Sequence, residues 1–466
     1  MAADTIIGII DIGKTNAKFA LVDAHSRTEI AVRTMPNTVL MSSPYPHFDI
    51  DLIWDFIKRS IRELNQEHAI QAISITTHGA CAALVDEDGN LALPVLDYEY
   101  VGPEKLAEDY AKARPDFSTS FSPRLPAGLN LGAQLYWQQN AFPNEFERAR
   151  WIIPYPQYWG FRLCEIAATE ITSMGCHTDM WNFQTNDYSD LVIENSWREK
   201  LPPMLCASDI LGPVCKSQAE ELGLGENVPV YCGIHDSNAS LLPYLLDREA
   251  PFSVVSTGTW VIVGSPGGDL KNLDKNRDCL ANIDVFGQPV PSARFMGGRE
   301  FSRLIKESEP QSTTIDVKHV LQEEIILLPS IESGTGPFPQ AQEQWSHDKN
   351  KLSPEVLYVV VSYYLALMTA ECLKLSDTHG DIIVEGPFAR NTHYLAMLSA
   401  ATKNRICANA GSTTGTSIGA AALVSMEYAS TQSPKHEIEY FHPDDTLDYH
   451  GYAIKWHLKN TYRNTP

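Results

Sequence analysis

The sequence is poor in positive charge. Its 466 residues include 36 Lys and Arg against 58 Asp and Glu, which gives a formal net charge of -22. Nucleic acids and anionic membrane surfaces are bound by clustered Lys and Arg, so this balance argues against both kinds of partner. An anionic small molecule would need a local group of cations.

Long apolar runs are scarce as well. The most apolar one, VLYVVVSYYLALMTA at 356–370, contains Ser362 and three tyrosines and is followed by Glu371. It is shorter than the ~20 residues that a membrane span needs, so it predicts a buried helix. A basic stretch followed by an apolar one is missing near Met1, so we expect no signal peptide and a cytoplasmic location.

The nine cysteines lack any pairing pattern. Their number is odd, their spacing is irregular, and there is no C-x-x-C pair. This usage predicts reduced, mostly buried thiols and favours neither a disulfide framework nor a zinc site.

The segment GIIDIGKT at 8–15 matches the P-loop pattern letter for letter. A P-loop needs a strand before its first glycine and a helix that begins at the Lys-Thr pair. Here the residues between the glycines are mostly isoleucine, and the following NAKFALVD reads as a second strand. The pattern predicts a strand, a tight bend at 13–15 and a strand; a helix from Lys14 would favour a P-loop NTPase instead.

Further elements are predicted by periodicity. Residues 28–36 read as a third strand, 51–68 as an amphipathic helix, and 72–90 as strand with a hairpin turn. Strands and helices continue in mixed order to about residue 245, which indicates an α/β domain.

The opening pattern returns at 251–267. PFSVVSTGTWVIVGSPG is again strand, bend and strand, and Gly258-Thr259-Trp260 stands where Gly13-Lys14-Thr15 stands in the first hairpin. Two such hairpins suggest two duplicated domains, 1–245 and 246–466.

Both bends have features of a phosphate-binding site. Backbone N–H groups of a tight turn and a nearby cation stabilise phosphate oxygens. Thr15 and Thr259 add hydroxyls, Lys14 and Lys18 add charge, and Asp11 could hold Mg²⁺. The alternative is a pair of ordinary hairpins.

Two strand ends carry candidate catalytic and binding groups. In VPVYCGIHDSNASLLPYLL at 228–246, a strand ends at Gly233 and a helix is predicted to begin near Ser237 or Asn238. Asp236 is then either the helix N-cap or a base for an acceptor hydroxyl. His78 is either a structural residue or a hydrogen-bond partner for a substrate.

These segments together resemble the FGGY family of carbohydrate kinases, within the sugar kinase, Hsp70 and actin superfamily. The matching segments, in family order, are DIGKTNAKFALVD, TTHGACAALVDEDG, IIPYPQYWGFRLCEIAATEITSMGCHTDMWN, VYCGIHDSNASLL, STGTWVIVG, IIVEGPFARNTHY and TTGTSIGAA. They extend from about residue 6 to about residue 425.

The resemblance implies an α/β fold of two actin-like (ribonuclease H-like) domains, each with a central mixed sheet flanked by helices, facing across a catalytic cleft. It implies ATP and Mg²⁺, with the sugar in the first domain and ATP chiefly in the second. Asp236 would be the catalytic base and, with Asp11, a metal-associated carboxylate. The implied nucleotide contacts are Gly13, Lys14, Thr15, Asn16, Lys18, Gly258, Thr259, Gly386 and Asn391.

The sugar is predicted only as a class. From their loop positions we expect His78, Asp97, Gln134 and His235, together with Asp236, to contact sugar hydroxyls. The loop PVLDYEY lacks the Trp-Gln-Asp-Arg or Trp-Asn-Asp sequence of many relatives, which disfavours glycerol and D-xylulose. A ketose such as L-rhamnulose, L-fuculose or another pentulose or hexulose is expected.

Other departures and alternatives follow from the same residues. Glu385-Gly386-Pro387 replaces a usual Gly-Gly pair, and Lys14 stands where Thr is common. The alternative function is an actin-like or Hsp70-like ATP-binding sensory or chaperone-type protein without sugar phosphorylation. A homodimer is expected, without nucleic-acid or membrane partners.

Overall fold

The computed structural model describes residues 5–305, 310–409, 415–426, 439–444 and 446–463. The chain folds into two compact units. The first contains residues up to Arg248, and the second begins at Glu249.

The first unit is built on a seven-stranded mixed sheet. Its strands are β1 (Ile6–Ile12), β2 (Asn16–Asp23), β3 (Thr28–Pro36), β4 (Ala72–Thr77), β5 (Ile210–Pro213), β6 (Pro229–Tyr231) and β7 (Ile234–His235). The order is β5-β6-β4-β1-β2-β3, and β7 also pairs with β4. β1 runs parallel to β4 and antiparallel to β2. Because β1 is central and covered on both faces, nearly all its residues are apolar and buried.

The first hairpin confirms the strand–bend–strand prediction. β2 begins at Asn16, so the residues after Lys14 form a strand and not a helix. The P-loop interpretation is therefore wrong. The predicted third strand, 28–36, is β3.

Helices cover this sheet. Helix α1 (Ile50–Glu67) confirms the predicted amphipathic helix, and it buries Ile53, Ile57 and Ile61 along one face. The other principal helices are α2 (Leu131–Ala141), α3 (Tyr155–Cys164) and α4 (Asp236–Asp247). Shorter helices are Ala107–Ala113, Phe117–Ser120, Pro143–Arg148, Ile171–Met174, Asp190–Glu194 and Lys216–Leu222. A small three-stranded sheet contains Ala82–Val85, Leu91–Leu93 and Trp151–Pro154. Three further pairs consist of two-residue strands: Val39–Leu40 with His47–Phe48, Thr169–Glu170 with Met204–Leu205, and Trp181–Asn182 with Asp187–Tyr188.

The second unit repeats the central arrangement of the first. Its strands are β8 (Phe252–Thr257), β9 (Val261–Gly264), β10 (Cys279–Ile283), β11 (Pro289–Phe295), β12 (Asp381–Glu385), β13 (Ile406–Asn409) and β14 (Glu439–Phe441), in the order β10-β11-β9-β8-β12-β13-β14. β8 pairs antiparallel with the next strand, β9, and parallel with β12, as β1 does with β2 and β4. The predicted repeat of the opening hairpin is thus present, and the strand pairing around the hairpin is repeated with it.

The second unit encloses the most apolar helix. Helix α5 (Pro354–Leu375) is long and apolar enough to span a membrane by composition, but most of its side chains are buried within the unit. The prediction of a buried helix is confirmed. The neighbouring helices are Gly297–Leu304, Thr314–Glu323, α6 (Thr392–Thr402) and Tyr449–Arg463, with a strand pair Leu327–Leu328 and Gln344–Trp345.

Two segments beyond Arg248 pack with the first unit. They are helix α7 (Gly415–Ser425) and residues 282–288. In α7, the buried residues Ala420 and Leu423 lie in one apolar cluster with Ile7 and Ile9 of β1. The domain bounds 1–245 and 246–466 stay a prediction. Seven of the nine cysteines are buried, as predicted.

Candidate active site

Three strand ends meet at one edge of the first sheet. In the parallel pairs, Ile12 of β1 and His235 of β7 both lie opposite Thr77 of β4. The residues at or just after these ends are therefore neighbours, and they include His78 and Asp236. Carboxyl ends of parallel strands are the usual location of ligand sites in α/β sheets.

The first bend is fixed by backbone hydrogen bonds. The Gly13 N–H donates to the Asn16 carbonyl oxygen at 2.9 Å, and the Asn37 amide donates to the Gly13 carbonyl oxygen at 2.8 Å. Thr15 and Asn16 are exposed, and the Asn16 amide donates to Thr15 Oγ1 at 3.1 Å. The bend thus presents a hydroxyl and an amide to solvent, as a phosphate site requires.

Lys14 and Asp97, predicted for phosphate and sugar respectively, contact each other. The Lys14 ammonium donates to Asp97 Oδ1 and lies 3.3 Å from Glu99 Oε2. It also lies over the rings of Phe48 and Tyr98, 5.1 Å and 4.7 Å from their centroids. An anion would compete with these carboxylates for Lys14.

Asp11 and Lys18 form a second charged group. Asp11 Oδ2 accepts hydrogen bonds from Thr416 Oγ1 at 2.8 Å and Ser417 Oγ at 3.2 Å, both in the first turn of α7, and lies 3.5 Å from Lys18 Nζ. Lys18 Nζ also donates to Glu29 Oε1 at 2.9 Å. Burial raises the pKa of the Asp11 carboxyl, Lys18 lowers it, and the negative charge of Asp236 raises it further.

Asp236 is the first residue of α4. The N-cap is His235, so the N-cap interpretation of Asp236 is wrong, and the helix begins one residue before the predicted start near Ser237. Asp236 Oδ1 accepts from the Ser237 N–H at 2.6 Å, and its side chain is 32% exposed. Burial raises the pKa of this carboxyl, while the nearby His78 lowers it. A partly exposed carboxylate with a raised pKa suits a general base.

Two buried histidines flank this carboxylate. Burial lowers the pKa of His78 and that of His235 to about 4, so both rings are neutral at pH 7. His78 Nδ1 lies 2.9 Å from the Gly79 carbonyl oxygen, and His235 Nε2 lies 3.2 Å from Asp236 Oδ1. Within the described part of the chain, His78 Nε2 and His235 Nδ1 are buried without a hydrogen-bond partner. An unpaired buried nitrogen is costly, so each is available to a ligand.

Gln134 supports the same loop. Its amide nitrogen donates to the carbonyl oxygens of Ala80 and Gly128, each at 2.5 Å. Those two bonds hold the chain that follows His78 against helix α2. The predicted sugar contact by Gln134 stays a prediction.

The second bend has the same form in the other unit. Gly258, Thr259 and Trp260 connect β8 to β9, and the Gly258 N–H donates to the Trp260 carbonyl oxygen at 2.9 Å. Gly258 and Thr259 are exposed. A Cβ added to Gly298 would lie 1.9 Å from the Gly258 carbonyl oxygen, so close packing against helix Gly297–Leu304 holds this bend.

Gly386 and Asn391 stabilise the local fold. Gly386 has φ +81°, and an added Cβ would lie 2.0 Å from the Thr257 carbonyl oxygen. Asn391 caps α6: its Oδ1 accepts from the Tyr394 N–H at 3.0 Å, and its Nδ2 donates to Ser362 Oγ at 2.9 Å. Their adenosine contacts stay predictions. The start of the TTGTSIGAA segment, Thr413 and Thr414, lies outside the described residues.

Sequence reasoning missed a buried carboxylate behind the site. Glu170 Oε2 accepts from Thr172 Oγ1 at 2.6 Å, and Thr172 Oγ1 in turn accepts from the His235 N–H at 3.1 Å. Glu170 is fully buried, which raises its pKa to about 7. In the sequence, Glu170 is marked only by the order Glu-Ile-Thr-Ser, which is compatible with a helix N-cap. That pattern does not predict a connection to β7. Glu29, Thr416 and Ser417 were missed as partners of Lys18 and Asp11 because they are distant in sequence or unremarkable in type.

Two family models match the chain. The N-terminal domain of the FGGY family of carbohydrate kinases matches residues 6–243, and the C-terminal domain of carbohydrate kinase FGGY matches residues 249–434.

Individual relatives agree with these matches. The chain is 25% identical to the L-fuculokinase of Escherichia coli (strain K12) over 273 residues, covering 55% of this chain and 56% of that protein. It is 26% identical to a probable L-xylulose kinase of Pasteurella multocida (strain Pm70) over 282 residues, 58% of this chain and 56% of that protein. The chain thus aligns with little more than half the length of these curated relatives.

A solved structure matches over its full length. The carbohydrate kinase from Novosphingobium aromaticivorans has a TM-score of 0.91 and 31% identity, covering 99% of this chain and 100% of that one. With the two family models, this likeness shows the two-domain actin-like α/β fold. The chain belongs to the FGGY family of carbohydrate kinases.

Proposed function

We propose that this chain is an ATP-dependent kinase that transfers the γ-phosphoryl group of MgATP to a hydroxyl of a ketose. The observation that carries the proposal is the position of Asp236, a partly exposed carboxylate with a raised pKa at the meeting point of three strand ends. Family membership supports the reaction class, and the names of the relatives, L-fuculokinase and probable L-xylulose kinase, support a ketose.

Asp236 would act as the base. It would accept the proton of the acceptor hydroxyl as that oxygen attacks the γ-phosphorus and the bond to the β-phosphate oxygen breaks. Phosphoryl transfer passes through a loose transition state, so positioning and charge matter more than the strength of the base. The neutral rings of His78 and His235 can each orient a sugar hydroxyl without adding a charge.

Asp11 and Asp236 would hold Mg²⁺. Asp236 raises the pKa of Asp11, so the two negative charges repel each other, and a hard divalent cation relieves that repulsion. When bound, Mg²⁺ neutralises charge on the phosphate oxygens. The exposed backbone and hydroxyl groups at 13–16 and 258–259 would bind phosphate oxygens.

The cytoplasmic location and the homodimer stay predictions.

The test is a release-of-ADP assay over ketoses, aldoses and polyols, applied to the wild type and to Asp236→Asn. We expect turnover with one or a few ketoses, and a loss of about 10²- to 10⁴-fold in kcat for Asp236→Asn with ATP affinity retained. Asp55→Asn, at an exposed carboxylate of α1, is the control and keeps full activity. Undiminished turnover in Asp236→Asn would refute the mechanism, and ATP hydrolysis that ignores every sugar would favour the sensory or chaperone-type alternative.

A further inference from the structure

A thiol and two imidazole rings lie together beside the candidate active site. They belong to Cys176, His177 and His235, and one ligand atom of each lies within 4.8 Å of the others. Cys176 and His235 are buried, whereas His177 is half-buried, so the cluster has one side open to solvent. The linear spacing of the cysteines does not reveal this group, because His235 lies much further along the chain, at the end of β7.

The cluster is held by hydrogen bonds from the backbone around it. The His235 N–H donates to Thr172 Oγ1 at 3.1 Å, which ties β7 to the short helix that precedes Cys176. His177 Nδ1 lies 2.7 Å from the Leu129 carbonyl oxygen. A carbonyl oxygen only accepts, so Nδ1 carries the proton, and His177 would bind a metal through Nε2.

Gly79 packs closely against two side chains of the cluster. A Cβ added to Gly79 would lie 2.7 Å from His235 Nε2 and 3.5 Å from Cys176 Sγ, so only a glycine lets the chain approach these side chains so closely. A cavity of about 10 Å³ borders the cluster at His235 and is lined also by Gly79 and Ser173, but not by Cys176 or His177. That is about the volume that one water-sized sphere occupies. His235 Nδ1, buried and unpartnered among the described residues, adds an unsatisfied group beside it.

We infer that Cys176, His177 and His235 form a binding site for a soft or borderline divalent cation of the zinc class. Thiolate and imidazole are the ligands that Zn²⁺ selects, whereas Mg²⁺ prefers oxygen, so this site is distinct from the Asp11 and Asp236 carboxylates. Three protein ligands leave a fourth position for water. On binding, the Cys176 S–H bond breaks, an S–Zn bond forms, and one proton is released to solvent.

The site would regulate the kinase, a consequence that rests on the proposed function. His235 Nε2 lies 3.2 Å from Asp236 Oδ1, so a cation bound to the His235 ring places positive charge beside the catalytic carboxylate and weakens it as a base. Zn²⁺ should therefore inhibit sugar phosphorylation even when Mg²⁺ is in excess.

The binding test does not depend on activity. The whole chain, freed of metal, is dialysed against Zn²⁺ in a buffer that contains excess Mg²⁺, and the bound zinc is measured. In a second experiment Co²⁺ replaces Zn²⁺, and a near-ultraviolet sulfur-to-cobalt absorption band reports that a thiolate binds the metal. We expect one equivalent of zinc in the wild type. Cys176→Ala should lose the zinc and the cobalt band, and His177→Gln should bind at least tenfold more weakly. Cys206→Ser, which removes an exposed thiol outside the cluster, is the matched control and should bind like the wild type.

Two results would overturn the site: wild type and Cys176→Ala binding equal amounts of zinc, or loss of zinc in Cys206→Ser. Circular dichroism and thermal midpoints establish that each variant folds, and His177→Gln decides the matter if Cys176→Ala does not. If zinc binds as expected but leaves turnover unchanged, the regulatory consequence is wrong while the site stands. If no sugar is phosphorylated, the proposed function fails independently of the zinc count.

Discussion

The Lys14 ammonium and the Asp97 carboxylate form an ion pair whose side chains are only 19% and 10% exposed. The pair ties the first bend to the loop that follows the small sheet of the first unit. The Lys14 ammonium also lies over Phe48 and Tyr98, and the low exposure of both side chains keeps the two charges largely out of water. Breaking such a pair leaves one charge poorly solvated, which costs more than breaking an exposed pair.

This pair should show strong coupling in stability. Lys14→Ala and Asp97→Ala should each destabilise the first unit, and the double variant should lose less than the sum, with a coupling energy on the order of 1 kcal/mol or more. Urea unfolding of the four proteins measures it. The control is the exposed pair Lys112 and Asp109, 76% and 63% exposed, whose coupling should be roughly 0.5 kcal/mol or less. Equal coupling in the two pairs would contradict the argument.

His78 should act on the sugar and not on ATP. Its buried Nε2 has no partner within the described residues, and its ring is held by Phe48 and Tyr155 at centroid distances of 5.2 Å each. His78→Asn should raise the KM for the sugar by roughly 10- to 100-fold, the equivalent of one lost hydrogen bond to a buried group, and leave the KM for ATP unchanged. Steady-state kinetics with each substrate varied provides the measurement. His25→Asn, at an exposed position of the first unit, is the control. An equal rise in both KM values would instead indicate a structural role.

Gly386 should be intolerant of any side chain. Its φ is +81°, and an added Cβ would lie 2.0 Å from the Thr257 carbonyl oxygen, so Gly386→Ala combines strain with a clash against backbone. We expect a loss of about 3 kcal/mol or more in the stability of the second unit. Gly334→Ala is a close control: its φ is +80°, and nothing lies within 4 Å of the added Cβ. That variant should lose only about 1 kcal/mol. Thermal unfolding compares the two, and equal losses would show that backbone conformation alone sets the cost.

Local patterns in the sequence were sufficient to predict the hairpins, α1, α5 and the equivalence of the two bends. In each case neighbouring residues determine the structure, as with the alternation of NAKFALVD in β2. The charged partners were not predictable, because Asp97 and Glu29 reach Lys14 and Lys18 through chain topology and leave no periodic signal.

The packing of α7 with the first unit was not predictable for a related reason. Its apolar residues suit any core, and only the three-dimensional chain path decides that they pack with β1. The N-cap of α4 was misassigned because Asp is a common N-cap, while here His235 fills that position and Asp236 enters the first turn.

Glu170 should make stability fall as the pH rises. Burial raises its pKa in the folded protein to about 7, whereas an ordinary glutamate has a pKa of about 4.3. Between these two values the folded state binds a proton that the unfolded state has released. The stabilisation is therefore complete below about pH 4 and is lost as the pH rises towards 7, by on the order of 3 kcal/mol for this group.

The measurement is the thermal midpoint of the wild type and of Glu170→Gln between pH 4.5 and 8. Glutamine keeps the shape but cannot ionise, so the variant should lose part of the downward slope over this range. Glu300→Gln serves as a comparison in the second unit, because Glu300 is also buried with a pKa of about 7. This substitution should remove a separate part of the slope. Because Glu170 reaches the His235 N–H through Thr172, Glu170→Gln should also lower kcat more than Glu300→Gln does. A wild-type slope preserved in Glu170→Gln would mean that this carboxyl titrates as an ordinary one, and the network behind Asp236 would then carry a permanent buried charge.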